Sequence, residues 1–404
     1  MVRTDSNLQE LILSRMDLSK QLSEEQIKDM IDEQIRLESK KHSMEVTARE
    51  ALRKEIYRSI RQLGILQELI EDPEITEIMV NGTRGIFVEK DGKLQKLDIQ
   101  FDSAEKLKAV IWQITSGCNR IVNESSPIVD ARLPDGARVN VVLDPVAING
   151  PILTIRRFPA EPMSMEQLVH IGALSKECRD WLKEAVHIGA NILVSGGTGS
   201  GKTTFLNALS GYIPVTERVI TIEDSAELQL NTISNLVSLE TRNRNVEGCS
   251  EITIRDLIKT SLRMRPDRII VGEVRGKEAI DMLQSVNVGH SAMTTVHANS
   301  VRDVVSRLET MVLMGMEIPI SAIRRQIVSG FDLFIHLGRL KDGSRKVLEI
   351  AEPSGFDGQE IIIHTLFKFE QTGEALENMV KGRLKRVGEP ENEEKFKKKK
   401  AGSA

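Results

Sequence analysis

The chain has 404 residues, 28% charged and 40% hydrophobic, with a net charge of −4. That is room for two or three packed domains of ordinary soluble composition. The charge balance excludes a broadly basic nucleic-acid-binding surface. Aromatics at 3% argue against base stacking, so no specific nucleic-acid partner is expected. Cys118, Cys178 and Cys249 are far apart and form no CxxC pair, which indicates neither a zinc site nor a disulfide framework. No apolar run approaches 18 residues, and no signal-peptide core stands at the N-terminus. A cytoplasmic protein is therefore expected, touching a membrane only through a partner.

Residues 1–70 read as a helical bundle or arm. Leu8, Leu11 and Ile12, then Ile27, Met30, Ile31 and Ile35, then Ile56, Ile60, Leu63, Leu66 and Leu69 recur at helical spacing. Ser23 to Gln26 has the form of a capping box. Pro73 marks a change, and residues 71–158 read as a small α+β domain. Its strands are Ile75 to Val80, Gly85 to Glu89, Leu94 to Leu97, Arg138 to Leu143 and Ile152 to Arg156, and its helix runs from Ser103 to Thr115. Arginines cluster at its strand ends: Arg132, Arg138, Arg156 and Arg157. A phosphate-contacting role competes there with a plain surface charge. Residues 159–164, with Pro159 and Pro162, read as a linker. Residues 165–372 read as a second domain, in which strands alternating with helices indicate a parallel sheet. The charged stretch 373–404 reads as a solvated tail.

The second domain carries the chemistry. Asn191 to Ser195 is a short strand that runs into Gly196-Gly-Thr-Gly-Ser-Gly-Lys-Thr-Thr204, a P-loop. Glycines let backbone N–H groups close around phosphate oxygens, and the following helix turns its positive end to the same anion. Gly197, Thr198, Gly199, Ser200, Gly201, Lys202, Thr203 and Thr204 are the candidate nucleotide-binding residues. Lys202 can reach the terminal phosphates, and the Thr203 hydroxyl can meet Mg²⁺. Two acidic clusters follow apolar strands: Glu223-Asp224 with Glu227 after Val219 to Ile222, and Glu273 after Arg268 to Val271. A nucleotide hydrolase needs acids there to hold the metal and orient water. Glu223, Asp224 and Glu273, with Thr203, are the candidate metal residues. In Gly289-His290 to His297-Ala-Asn299, a histidine role in sensing the γ-phosphate is plausible, while His290 and His297 lack the spacing of paired ligands.

The series formed by the P-loop, Ile222-Glu-Asp224, Leu262 to Arg275 and Gly289 to Asn299 resembles the secretion and type IV pilus ATPase superfamily. These segments correspond to its Walker A, Asp box, Walker B and His box. Pro127 to Asn140, Leu153 to Phe158 and Arg339 to Arg345 look like the Tad (Flp) pilus branch, CpaF/TadA. The resemblance implies a C-terminal RecA-like domain preceded by a sensory-type α+β (PAS- or ferredoxin-like) domain, with ATP and Mg²⁺ between them. It further implies a homohexamer working on an inner-membrane platform protein at the inner face of the cytoplasmic membrane. In it Glu273 activates water, Glu223 assists, His297 reads the γ-phosphate, and Arg138 and Arg156, with Arg132 as a third, reach the phosphates. No tetracysteine motif is present, so the zinc subdomain of many relatives is not expected. A type IV secretion traffic ATPase is the alternative. A silent nucleotide-binding scaffold is disfavoured because every acidic position that hydrolysis needs is filled.

Overall fold

The structure, a computed structural model, describes residues 24–41, 49–50, 53, 63, 65–90, 92–118, 120–133, 135–157, 162–242, 250–371 and 380–391. The expected apolar runs around Leu8 and Ile56, the Ser23 cap, Cys249 and residues 159–161 of the linker lie outside them. The chain divides into two compact units, Met1–Ala160 and Glu161–Ala404. Among the described residues no helix is long and apolar enough to cross a membrane.

In the first unit, helix α1 (Glu24–Lys41) buries Ile31, Gln34 and Ile35 and exposes Asp32, Glu33 and Arg36, which is one apolar stripe at the 3.6-residue period. After α2 (Leu66–Glu71) come β1 (Ile75–Asn81), β2 (Ile86–Lys90) and β3 (Lys93–Leu97), then α3 (Ala104–Gly117), then β4 (Ile128–Arg132), β5 (Arg138–Val142) and β6 (Ile152–Arg156). The strands form one sheet in the order β3-β2-β1-β6-β5-β4, every pair antiparallel. Alternation sets its face: Ile78 and Val80, Val139 and Val141, Leu153 and Ile155 are buried with Leu107, Ile111 and Ile114 of α3. Ser103 caps α3 by accepting the Lys106 N–H at 3.2 Å. Register also lines up charge. Arg132 stands opposite Arg138, and Arg138 opposite Arg156, so one transverse row of the sheet is arginine on three adjacent strands. Glu77 of β1 ends the row opposite Arg156.

The second unit begins with α4 (Met165–His170) and α5 (Lys176–His187). Then come β7 (Ile192–Gly196), α6 (Lys202–Ser210), β8 (Val219–Glu223), β9 (Leu236–Glu240), α7 (Ile254–Ser261), β10 (Arg268–Val271), α8 (Ala279–Asn287), β11 (Ser291–Val296), α9 (Val301–Gly315), α10 (Ile320–Gly330), β12 (Leu333–Arg339), β13 (Arg345–Phe356), β14 (Ile361–Gln371) and β15 (Gly382–Arg386). The sheet order is β15-β14-β13-β12-β7-β11-β10-β8-β9. From β12 to β9 all pairs are parallel. Helices cover both faces: Ile192 and Val194 of β7 join the cluster of α5 and α6, while Leu193 joins that of α8, α9 and α10. Every residue of β7, β8 and β10 is buried, as a two-sided parallel sheet requires.

Two corrections follow. The sheet is mixed, because β13, β14 and β15 extend it antiparallel beyond β12. Residues 382–386 are also not tail. They are strand β15, with Leu384 buried and Lys385 paired to Glu370, so alternation hides one apolar residue among charges.

Buried polar anchors hold the strand starts. Asn191, just before β7, donates to Gly330 O at 2.6 Å and accepts from Ala292 N at 2.9 Å, while its own N–H meets Asp332 at 2.6 Å. Arg268, fully buried at the start of β10, holds Glu217 through two contacts of 2.8 and 2.9 Å and donates to Val186 O at 2.9 Å. Removing one partner of such a pair strands a buried charge. Glu217→Ala is expected to lower stability by about 3 kcal/mol, read from urea unfolding against wild type. A loss below about 0.5 kcal/mol would mean that Arg268 does not depend on this carboxylate.

Candidate functional site

The four strands β7, β11, β10 and β8 are neighbours and parallel. Each ends at the same edge, where open α/β sheets bind ligands. Past β7 comes Lys202, past β11 His297, past β10 Glu273, and at the end of β8 Glu223 followed by Asp224. Residues scattered over some hundred positions are thereby set side by side.

The P-loop owes its shape to glycine. Gly199 and Gly201 have φ of 71° and 90°, a region that a β-carbon disfavours, and Gly201 N-caps α6. Ser200 is buried and gives its hydroxyl to Gly197 O at 2.8 Å, so it braces the loop. Gly197, Thr198, Gly199 and Thr204 are exposed, and Thr203 is half-buried in the first turn of α6. Lys202 is 8% exposed. Its ammonium donates to Gly196 O at 3.0 Å and Gly197 O at 3.2 Å, and lies 3.3 Å from His297 Nδ1. Burial holds its pKa below the ordinary lysine value, Arg275 adds to the effect, and the nearby Glu273 carboxylate opposes it.

From Lys202 a chain of charge crosses the strand ends. His297 Nε2 is 2.8 Å from Glu273 Oε1. Burial lowers the His297 pKa more than Glu273 raises it, so the ring is neutral at pH 7. Glu273 Oε2 accepts from Arg275 at 2.6 Å, and Arg275 reaches on to Asp224 at 3.7 Å. Despite the close imidazole, Glu273 Oε1 is buried with no aligned hydrogen bond among the described residues. It is an acceptor aimed into the site, and a water or a hydrated cation would complete it. Among the described residues no group of three or more His, Cys, Asp or Glu side chains is placed to hold a metal ion by itself.

Glu223 is used differently. It is buried, and its carboxylate accepts the N–H groups of Glu227 at 2.9 Å and Leu228 at 3.1 Å, anchoring the loop after β8. It also lies tight against Gly272, where a β-carbon would come 2.9 Å from Glu223 Cγ. These partners give it a loop-holding role. His290 stands at the opposite end of β11 from His297, roughly 20 Å away at strand rise, which separates the two histidines of that motif. Arg138 and Arg156 belong to the arginine row of the first unit.

Two participants carried no signal in the sequence. His336 of β12, nearly buried, meets the Ser195 hydroxyl of β7 through Nδ1 at 3.0 Å, and burial lowers its pKa. Glu278 accepts the N–H groups of Arg275 at 2.6 Å and Gly276 at 2.8 Å and so shapes the segment that aims Glu273. Neither lies in a recognisable motif.

A family described as "Type II/IV secretion system protein" matches residues 59–331. The chain belongs to this family. It is 33% identical over 295 residues to a putative conjugal transfer protein of Mycobacterium tuberculosis, covering 71% of this chain and 83% of that one. It is 31% identical over 315 residues to the type IV secretion system protein PtlH of Bordetella pertussis, covering 71% and 93%. Among solved structures, the pilus retraction motor PilT with bound ADP has the same fold at a TM-score of 0.55 and 23% identity, covering 73% of this chain and 84% of that one. The superfamily read from the four motifs therefore holds, and so does the RecA-like α/β fold of the second unit.

Family membership makes the fit of Glu223 and Gly272 testable. Gly272→Ala forces the buried Glu223 side chain aside, and overpacking of this kind costs about 1–3 kcal/mol. Thermal unfolding should show that loss, and nucleotide turnover should fall with it. Unchanged stability would show that the loop after β8 gives way freely.

Proposed function

We propose that the chain is an ATP hydrolase, a hexameric motor that drives assembly of a pilus or secretion apparatus at the cytoplasmic membrane. The observation that carries this reading is the convergence at one sheet edge of Lys202, His297 and Glu273, the imidazole standing 3.3 Å from the ammonium and 2.8 Å from the carboxylate. Phosphates enter at the P-loop, and the Lys202 ammonium leaves the carbonyls of Gly196 and Gly197 for them. The Glu273 carboxylate orients the attacking water and takes its proton. Thr203, with Glu273 and Asp224, would hold Mg²⁺, which would supply charge neutralisation at the transferring phosphoryl group. His297 is neutral and polar enough to hydrogen-bond a γ-phosphate, and so to report its presence to Glu273. Glu223 keeps the acidic loop in place. Arg138 and Arg156, neighbours in register on β5 and β6, are proposed as further phosphate contacts, with Arg132 beside them.

Two finer readings remain in view. Pro127 to Asn140 and Arg339 to Arg345 favour a Tad (Flp) pilus motor with an inner-membrane platform partner. The names of the relatives above favour a type IV secretion traffic ATPase. Co-isolation with prepilin-processing or with conjugation components separates them. As domains we propose a helical arm over 1–70, an α+β domain over 71–158, a linker over 159–164 and a RecA-like domain from 165 that continues through β15.

Steady-state ATP turnover tests the chemistry. Glu273→Gln should lower kcat by at least about 100-fold while ATP still binds, and Lys202→Ala should lose binding and turnover together. Equal hydrolysis in wild type and Glu273→Gln would sink the reading. Light scattering tests the assembly: a hexamer is expected, strengthened by ATP, and a strict monomer with ATP present would count against the motor.

A further inference from the structure

The phosphate loop is also touched by an element outside the four motifs. Leu337 of β12 pairs with Gly196 of β7, so the β12–β13 hairpin stands directly beside the loop. Its last cross-strand pair is Arg339 with Arg345. Arg345 Nε donates to Gly199 O at 2.9 Å. A β-carbon on Gly201 would lie 3.4 Å from Arg345 Cδ, and one on Gly199 would lie 3.8 Å from an Arg339 guanidinium nitrogen. Both side chains therefore rest on the two left-handed glycines of the loop.

The pair breaks a local rule. Like charges directly opposite on antiparallel strands repel. Both residues are exposed, and neither meets a carboxylate within ion-pair distance among the described residues. The nearest acid in the hairpin is turned away. Asp342 accepts the Ser344 hydroxyl at 2.6 Å, the Ser344 N–H at 2.9 Å and the Val380 N–H at 2.8 Å. The Ser344 hydroxyl and these N–H groups hold its carboxyl down at about 2. They also stiffen the turn, so the two arginines cannot drift apart easily. Two planar guanidiniums held together without a counter-charge, at the rim of a loop of backbone N–H groups, make a site that an anion completes.

Topology says which part of the ligand they meet. β12 flanks β7 on the side opposite β11 and β10, which carry His297 and Glu273. We propose that Arg339 and Arg345 bind the diphosphate common to ATP and ADP, from the flank away from the reacting γ-phosphate. The proposal deepens the ATPase reading and rests on it for the identity of the ligand. The pair would hold ADP after the γ-phosphate leaves, and it would link the occupied loop to the antiparallel half of the sheet through β13.

The test is equilibrium binding to the full chain of ADP, ATP without Mg²⁺, and adenosine. Arg339→Gln with Arg345→Gln should weaken ADP and ATP by the same factor, about tenfold or more, and leave adenosine unchanged. Arg339→Lys with Arg345→Lys should recover part of the loss, which excludes a mere folding defect. Unchanged ADP affinity in the glutamine variant would overturn the proposal, as would an equal loss for adenosine. Wild type that binds neither nucleotide would overturn this proposal and the ATPase reading together. Wild type that binds ADP but does not hydrolyse ATP would remove only the ATPase reading, with the ADP comparison still deciding the arginine pair.

Discussion

Parallel registration of β7, β11, β10 and β8 is the constraint on which the site depends. Val271 stands beside Ile222 and Thr294, Thr294 beside Leu193, and Val296 beside Ser195, so the four strands finish at one end of the sheet, stepping outward from β10 to β7. A parallel ladder gives no short hairpin to enforce this, and the crossover helices alone leave slack. The alignment is secured by polar groups inside the protein. Asn191 ties the start of β7 to β11 and to the end of α10, and Arg268 ties the start of β10 to the segment before β8 and to α5. At the other end Thr295 gives its hydroxyl to Gly272 O at 2.8 Å, which fastens the His-box strand to the residue before Glu273. Burying such groups costs stability unless each is satisfied, and here satisfaction and alignment are achieved by the same bonds.

Electrostatics then decides what the aligned edge does. Signs alternate along it: Lys202, Glu273, Arg275, Asp224, with a neutral histidine between the first two. Each charge is partly answered by its neighbour, and the inner pair, Lys202 and Glu273, exists at low exposure while Arg275 and Asp224 lie at the surface. The balance is incomplete at one atom, Glu273 Oε1.

Much of this was legible in the sequence, because phosphate chemistry leaves little freedom. The P-loop must be glycine-rich, Lys202 must follow it, and acids must follow apolar strands. The α+β character of the first unit was equally plain from alternation at Ile75 to Val80 and Ile152 to Arg156. What stayed hidden had weak local contrast. β4 at the sheet edge has little burial difference between its faces. β11 is built of small and hydroxyl residues that read as a motif before they read as a strand. β15 is Gly-Arg-Leu-Lys-Arg, one apolar residue among charges, and only its partner β14 makes it a strand. The anchoring bonds of Glu223 were hidden for another reason. An acid at a strand end looks the same in sequence whether or not it accepts from the loop that follows, and here it accepts the N–H groups of Glu227 and Leu228.

The place of Lys202 has a consequence for stability. Its ammonium is taken largely out of water when the chain folds, against two loop carbonyls, and burial holds its pKa below the ordinary lysine value. The cost of desolvating that cation is therefore carried by the fold. A phosphate would meet a partner already dry, and binding would relieve the fold instead of stressing it. Stability and grip are then opposed at this one residue. A substitution that made the lysine more comfortable at rest would give a sturdier protein and a poorer trap, and ligand should raise the melting temperature of the native chain by more than that of such a variant.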